Sequence, residues 1–304
     1  MVQCRLKFLF ASFLFLIFGK QLIASRQLSD YIIYKNDTIP IYHLILENYL
    51  QNEKTDDGRL FGLSFRNLFE DKWASHNCWR GYQAIYKIEN DSLFLCNIIK
   101  CFSIEKINKE LSDSILYAIF GNQVKDNKVF VDWFSGDISF PVKSKDIENE
   151  VIRFDGVFER IFLFETLMEI ENGIIKCSKE IQNYEVLPNR INRKDYEIFR
   201  NFLLYKIKNY KWKKKRKSEH AGHYVIRINK EGRIYLIDGD YITKEVYSKY
   251  SDFSDKREYR YCIRSIKKAL KGLEFDIIKR KGEPIEEYVG VGILFEDDGS
   301  IEIF

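Results

Sequence analysis

Proline is scarce in this chain: Pro40, Pro141, Pro188 and Pro284 are the four among 304 residues. With so few, and with 24 Phe and 19 Tyr, collagen-like and disordered classes are excluded. Several chemical signatures are missing too. No phosphate-cradling glycine loop, no Gly-x-Ser-x-Gly elbow and no His-Glu-x-x-His pair occurs. Histidines number four, and the cysteine spacings fit no metal-ligand set, so neither metal nor cofactor is expected. A membrane-length apolar run is also lacking. The longest, Phe8 to Phe18, spans roughly 16 Å as a helix, against about 30 Å of bilayer hydrocarbon. It follows the basic start Met1 to Lys7 and stops before Lys20. It therefore reads as a secretory leader over 1–25, cleaved near Ala24 or Ser25, which places the mature chain in the periplasm or outside the cell. Cys4 lies ahead of the apolar run and cannot be a lipoprotein acylation site.

What remains is a chain of 36.4 kDa, large enough for two domains. Its net charge of +4 is local in origin: eight basic and no acidic residues lie between Lys206 and Lys217, and without them the remainder is near −4. Tyr210 and Trp212 could stack bases beside that stretch. Export and the lack of basic charge elsewhere argue against a nucleic-acid partner. Lys211 to Lys217 reads instead as a solvated helix end and linker, or as a contact with an anionic membrane surface.

The expected fold class is α+β. An antiparallel, β-rich domain spans 26–187, a helical basic linker 188–217, and a small hairpin–helix–hairpin domain 218–304. In the first part, alternating pairs flank Asn36-Asp37, Asn90-Asp91 and Glu171-Asn172-Gly173, and Lys128 to Phe140 reads as strand, turn, strand. Hairpins in succession predict a meander with sequential neighbours paired. Leu44 to Leu50 and Ser103 to Phe120 carry helical patterns. Between the halves, Tyr196, Phe199, Leu203, Ile207 and Tyr210 share one side of a helix over 192–212.

In the last part, Tyr224 to Asp238 reads as two strands around Lys230-Glu231-Gly232. Tyr259, Cys262, Ile263, Ile266, Ala269 and Leu270 form one face of a helix over 257–271, capped by Ser254 and Asp255 and ended by Gly272 and Leu273. A long strand follows from Ile285 to Phe295. Val289, Val291, Ile293 and Phe295 line one of its faces, and Gly290 and Gly292 fall on the other, where paired glycines suggest close backbone approach by a partner.

The order hairpin, helix, Gly282-Glu-Pro-Ile285 turn, and Val291-Gly-Ile-Leu-Phe295 strand resembles the C-terminal domain of TonB and its stand-alone relatives. The similarity covers the last quarter of the chain. It implies the fold, an extracytoplasmic address and protein binding by strand pairing. Glu274-Phe275-Asp276-Ile277 stands where that family has Trp-x-Pro, no Ser-Ser-Gly precedes the helix, and no proline-rich spacer exists, so energy transduction is not implied. Cys78-Trp-Arg-Gly-Tyr82, Tyr86 to Leu95 and Phe130 to Gly136 resemble an uncharacterised bacterial family with Trp-Arg-Gly-Tyr and Trp-Phe-Ser-Gly motifs. That family carries over no activity.

Two functions follow. The first is an exported, non-enzymatic protein that binds an envelope protein. A terminal hairpin would place Ile301, Glu302, Ile303 and Phe304 at a sheet edge able to recruit a partner strand. The second is a secreted hydrolase working from the β-rich domain, through Asp132 and Asp137 flanking Trp133 to Gly136, or His76 near Cys78, in a deep pocket. His220 and His223 lack the further ligands a metal needs. With the leader removed, five cysteines remain, and Cys78 and Cys101 could form a disulfide if the hairpin after Tyr82 continued in register. Cys262 reads as a core residue.

Overall fold

The computed structural model of the protein describes residues 26–52, 76–142, 150–212, 222–239, 253–295 and 300–303. The leader, most of the Lys211 to Lys217 run, His220 and Phe304 lie outside the described residues. In chain order the elements begin with β1 (Asp30–Tyr34), β2 (Asp37–Ile41), α1 (Ile45–Asn52), β3 (Gln83–Glu89), β4 (Ser92–Ile99) and α2 (Lys109–Phe120). Next come β5 (Val129–Phe130), β6 (Gly136–Pro141), β7 (Val151–Phe154), β8 (Arg160–Phe162), β9 (Phe164–Glu171), β10 (Ile174–Gln182), β11 (Tyr184–Glu185) and α3 (Tyr196–Lys208). The remainder is β12 (Gly222–Ile228), β13 (Ile234–Gly239), α4 (Phe253–Ala269), β14 (Ile277–Arg280), β15 (Glu283–Pro284), β16 (Glu287–Phe295) and β17 (Ile301–Ile303). The chain is α+β, and its sheets are mostly antiparallel.

Two compact units result, and the division is not sequential. One comprises Met1–Pro141, Phe154–Arg160 and Leu167–Lys179; the other comprises Val142–Arg153, Ile161–Thr166 and Glu180–Phe304.

The first unit is built on a sheet of order β2-β1-β3-β4-β10-β9-β6, with β5 added beside β4. Its hairpins turn on residue pairs with positive φ: Lys35 and Asn36 at 51° and 66°, Asn90 and Asp91 at 48° and 56°, Asn172 and Gly173 at 48° and 77°. Two left-handed residues in a two-residue loop match the twist of the flanking strands, and Asn and Asp tolerate that region. The first loop lies one residue earlier than the sequence pattern suggested.

The expected meander does not form. Strand β1 lies parallel to β3, and β4 neighbours β10. Lys128 to Phe140 is not a hairpin either, because β5 pairs with β4 while β6 joins β9. Val131 and Phe134, between them, turn into the core, and burying them separates the strands. Strand β2 comes alongside β6 at the open ends of the sheet. There the backbone N–H of Ser139 donates to His43 Nε2 at 2.9 Å, so the ring acts as acceptor.

In the second unit, an antiparallel sheet of order β13-β12-β16-β17 carries both helices on one face. Tyr224, Ile226, Ile228, Ile237, Val289, Val291 and Ile293 form the inner layer of strand side chains. Phe199, Leu203 and Ile207 of α3 and Cys262, Ile266 and Leu270 of α4 close over them. Each such aliphatic or aromatic burial stabilises the unit by about 1.5–3 kcal/mol. The helix expected between the halves thus supplies core to this unit. Asp195 caps it by accepting from the N–H of Ile198 at 2.9 Å. Helix α4 begins at Phe253, so Ser254 lies in its first turn rather than before it. It ends as the sequence indicates, with Gly272 at φ +78° and Leu273 turned back against the core.

Gly232 is fixed for a second reason besides its φ of +75°. A Cβ there would sit 2.1 Å from the carbonyl oxygen of Phe275. That close approach lets Phe275 N–H donate to Gly232 O at 2.9 Å and ties the β12–β13 hairpin to the segment after α4.

Candidate functional site

Strand β17 pairs with β16 through Ile293↔Ile303, Leu294↔Glu302 and Phe295↔Ile301, and stands at one edge of the four-stranded sheet. Period-two alternation turns Ile301 and Ile303, both half-buried, against the core and leaves Glu302 exposed. Helix α3 packs beside this strand. Gly290 and Gly292 lie opposite Val225 and His223 on the face away from the helices. Gly290 is exposed, and nothing lies within 4 Å of where its Cβ would be, so among the described residues no backbone closes on it. Gly292 is buried. The same face carries Arg227, which pairs with Asp238 at 3.4 Å and lies 5.0 Å from the ring centre of Tyr288.

Cys78 and Cys101 are joined in a disulfide, with Cα atoms 6.3 Å apart. The route is not a long regular hairpin. The β3–β4 register slips between Ile85 and Tyr86, and the ladder ends at Gln83↔Ile99. A tight turn, in which Gly81 N–H donates to Cys78 O at 3.0 Å, then folds Cys78 back toward Cys101. With its sulfur bonded, Cys78 is not a nucleophile for His76. Asp132, Asp137 and His76 are exposed. His223 lies exposed on β12.

A buried charged group in the first unit escapes the sequence patterns. Arg80, in the turn closed by the disulfide, donates from Nη1 to Asp30 Oδ2 at 2.8 Å and to Glu47 Oε1 at 3.2 Å. From Nη2 it donates to Leu28 O at 3.0 Å. Tyr82 OH donates to Glu47 Oε1 at 2.7 Å, and Ala84 N–H to Asp30 Oδ1 at 2.9 Å. Asp30 is wholly inaccessible, and Arg80 is 4% exposed. Glu47 Oε2 and Tyr86 OH, also buried, have no hydrogen-bond partner among the described residues. Arg80 and Tyr82 of the Trp-Arg-Gly-Tyr segment are therefore internal wiring, while Trp79 is left half exposed. The pair pins β1, α1 and β3 to one guanidinium. The Trp133 to Gly136 segment does similar work, with Trp133 Nε1 donating to Ile45 O at 3.2 Å and Gly173 N–H to Phe134 O at 3.0 Å. A lone Arg between aromatics and an Asp opening an apolar strand were the only sequence traces of the group.

Burial opposes ionisation here, and for Asp30 it outweighs Arg80. The carboxyl is pushed up from 3.8 to about 6. Burial also lowers the tendency of Arg80 to hold its charge, but Asp30 and Glu47 together keep it above its ordinary value. Burial, with Glu47 next, raises the Tyr82 hydroxyl well above the phenolic range. A folded-state acid that keeps its proton longer than the unfolded chain stabilises fully below the unfolded value and loses that contribution as pH rises through the folded one. The stability advantage of the wild type over Asp30→Asn should accordingly shrink by about 2 kcal/mol between pH 4 and 7. Urea titrations across that range check it, and a pH-independent difference contradicts it.

The second unit has its own buried network. Arg193 donates to Glu287 Oε2 at 3.0 Å and to Asp276 O at 2.6 Å, while Arg153 donates to Glu287 Oε2 at 3.1 Å and to Arg193 O at 2.8 Å. Tyr184 OH donates to Asp276 Oδ2 at 2.7 Å. These groups fasten β7, β11 and the lead into α3 onto β16. Every carboxylate in the network is matched by a cation or a hydroxyl, which is the arrangement of a fastening rather than of a reacting pair.

Comparison with family models, with characterised proteins and with solved structures finds no match to this chain.

Proposed function

We propose that the chain is an exported, non-enzymatic protein whose C-terminal unit binds an envelope protein by pairing a strand of that partner with β17. The supporting observation is the place of β17 at the sheet edge, with Ile301 and Ile303 anchored inward and Glu302 facing out. Among the described residues no strand lies beyond it. An edge strand offers unpaired N–H and C=O groups at regular spacing, and its half-buried apolar anchors set which face it presents to a partner. The similarity of the hairpin, helix, turn and long strand to TonB-type domains points the same way. The disulfide suits an oxidising compartment.

The test is a crosslinking pull-down of the mature chain from its native envelope. Deleting Ile301 to Phe304 should abolish capture, and Glu302→Pro, which leaves both anchors in place, should reduce it at least about tenfold. Undiminished capture by both variants removes the edge-strand reading.

A further inference from the structure

The opposite edge of the same sheet is formed by β13, and a cleft of about 400 Å³ lies between it and the last turn of α4. Four successive β13 residues, 234–237, line the cleft together with Lys267, Leu270, Lys271 and Leu273. Successive strand residues point to opposite faces, so a cleft touching all four runs along the strand's edge rather than over either face. Among the described residues, the only pairing on that outer edge is the single bridge Arg233↔Glu274 at its start. The floor is apolar. Leu270 belongs to the core, Ile234 and Leu273 pack against it, and Leu236 is left 37% exposed.

The rim is basic. Lys267 and Lys271 are exposed, and neither has a carboxylate partner among the described residues. The one acid in the lining, Glu274, is already engaged by Arg233 at 3.0 Å and Arg190 at 3.7 Å. The C-terminal end of α4 contributes roughly half a negative charge, which two ammonium groups outweigh. Four strand residues span about 13 Å, the length of a short extended peptide.

We propose that this cleft binds an extended acidic peptide segment, which pairs its backbone with the outer edge of β13 and sets its carboxylates against Lys267 and Lys271. This surface is separate from β17, so it stands or falls independently of the function proposed above. The apolar side chains of such a segment meet Leu270, Leu273 and Ile234, one strand face at a time. A cationic segment meets Lys267 and Lys271 with like charge and is rejected.

The experiment is fluorescence anisotropy with the full chain and a labelled hexapeptide, acetyl-Val-Asp-Val-Glu-Val-Asp-amide, beside its counterpart with lysine at the three acidic positions. The acidic peptide should bind saturably, and the lysine peptide should not. Lys267→Glu combined with Lys271→Glu, both on exposed positions that leave the core intact, should weaken binding at least about tenfold, as should raising NaCl from about 0.05 to 0.5 M. Methylating alternate peptide nitrogens should also abolish binding while leaving every charge in place. Equal binding of both peptides, indifference to charge reversal or to methylation, or no saturation by about 1 mM peptide overturns the proposal. So does a dimer, detected by sedimentation, that the charge reversal dissolves while the acidic peptide leaves it untouched; that result assigns the edge to a second copy of the chain.

Discussion

Arg80→Met should destabilise the first unit by about 3–5 kcal/mol. The reason is an imbalance between what the substitution removes and what it strands. Asp30 and Glu47 both lean on the same guanidinium, at 2.8 and 3.2 Å, in a setting where Asp30 is wholly buried. Taking the cation away leaves Asp30 and Glu47 buried with no counter-charge, so that at neutral pH one must take up a proton or stay ionised and unpaired. Replacing Arg80, Asp30 and Glu47 together by Met, Leu and Met removes the charges with the cation and should recover part of the loss, since packed apolar groups of similar volume often match a buried ion cluster while the Ala84 N–H and Tyr82 OH lose their acceptors. Since the chain has two units, one global transition is not assured, so the measurement is native-state hydrogen exchange at core amides of β1 and β3. A loss below about 1 kcal/mol in Arg80→Met means the cluster is hydrated and not the fastening described. The triple variant faring worse than the single one contradicts the account as well.

That cluster also marks where sequence reasoning stops. Local order was legible wherever a short-range rule governs it. The Asn-rich turns, the Gly232 loop, the α4 face of Cys262, Ile266 and Leu270, and the alternating inner face of β16 are all decided by residues a few positions apart. Pairing partners across the chain were not legible. Nothing near Asp30 in sequence indicates that β1 lies parallel to β3 rather than beside the next hairpin, because loop-closure entropy and side-chain fit over more than fifty residues make that choice. Arg80 suffered the same fate: its partners lie 50 and 33 positions away. Helix α3 read as a connector because its apolar stripe names a face to be buried but not the sheet that buries it. For the proposed binding surfaces, the β17 edge followed from a terminal hairpin pattern. The cleft beside β13 needed the spatial meeting of a strand edge with the end of a helix.

Reducing the Cys78–Cys101 bond should cost about 3.5 kcal/mol, the loop-closure value for cysteines 23 positions apart, and the loss should be felt first at Arg80. The disulfide closes the turn that presents the guanidinium, with Gln27 bracing it through a 3.1 Å bond from Trp79 N–H to Gln27 Oε1 and a 2.8 Å bond from Gln27 Nε2 to His76 O. Opening the bond returns freedom to residues 76–82, so the ion cluster loosens with it, and the reduced form should lose protection at the Ala84 amide ahead of the rest of β3. A Cys78→Ala, Cys101→Ala variant should reproduce both effects in non-reducing buffer, and a variant as stable as the oxidised wild type contradicts the role assigned to the bond. Alkylation also tests the compartment. Of the other thiols, Cys177 is exposed and should label first, Cys96 is held at about 11 by burial and should label slowly, and Cys262 is buried. An exported chain trapped in its native cell should label at Cys78 and Cys101 only after reduction. Labelling at both without reductant means the chain resides among reduced thiols, and the proposal of an envelope protein then fails on its address before any partner is sought.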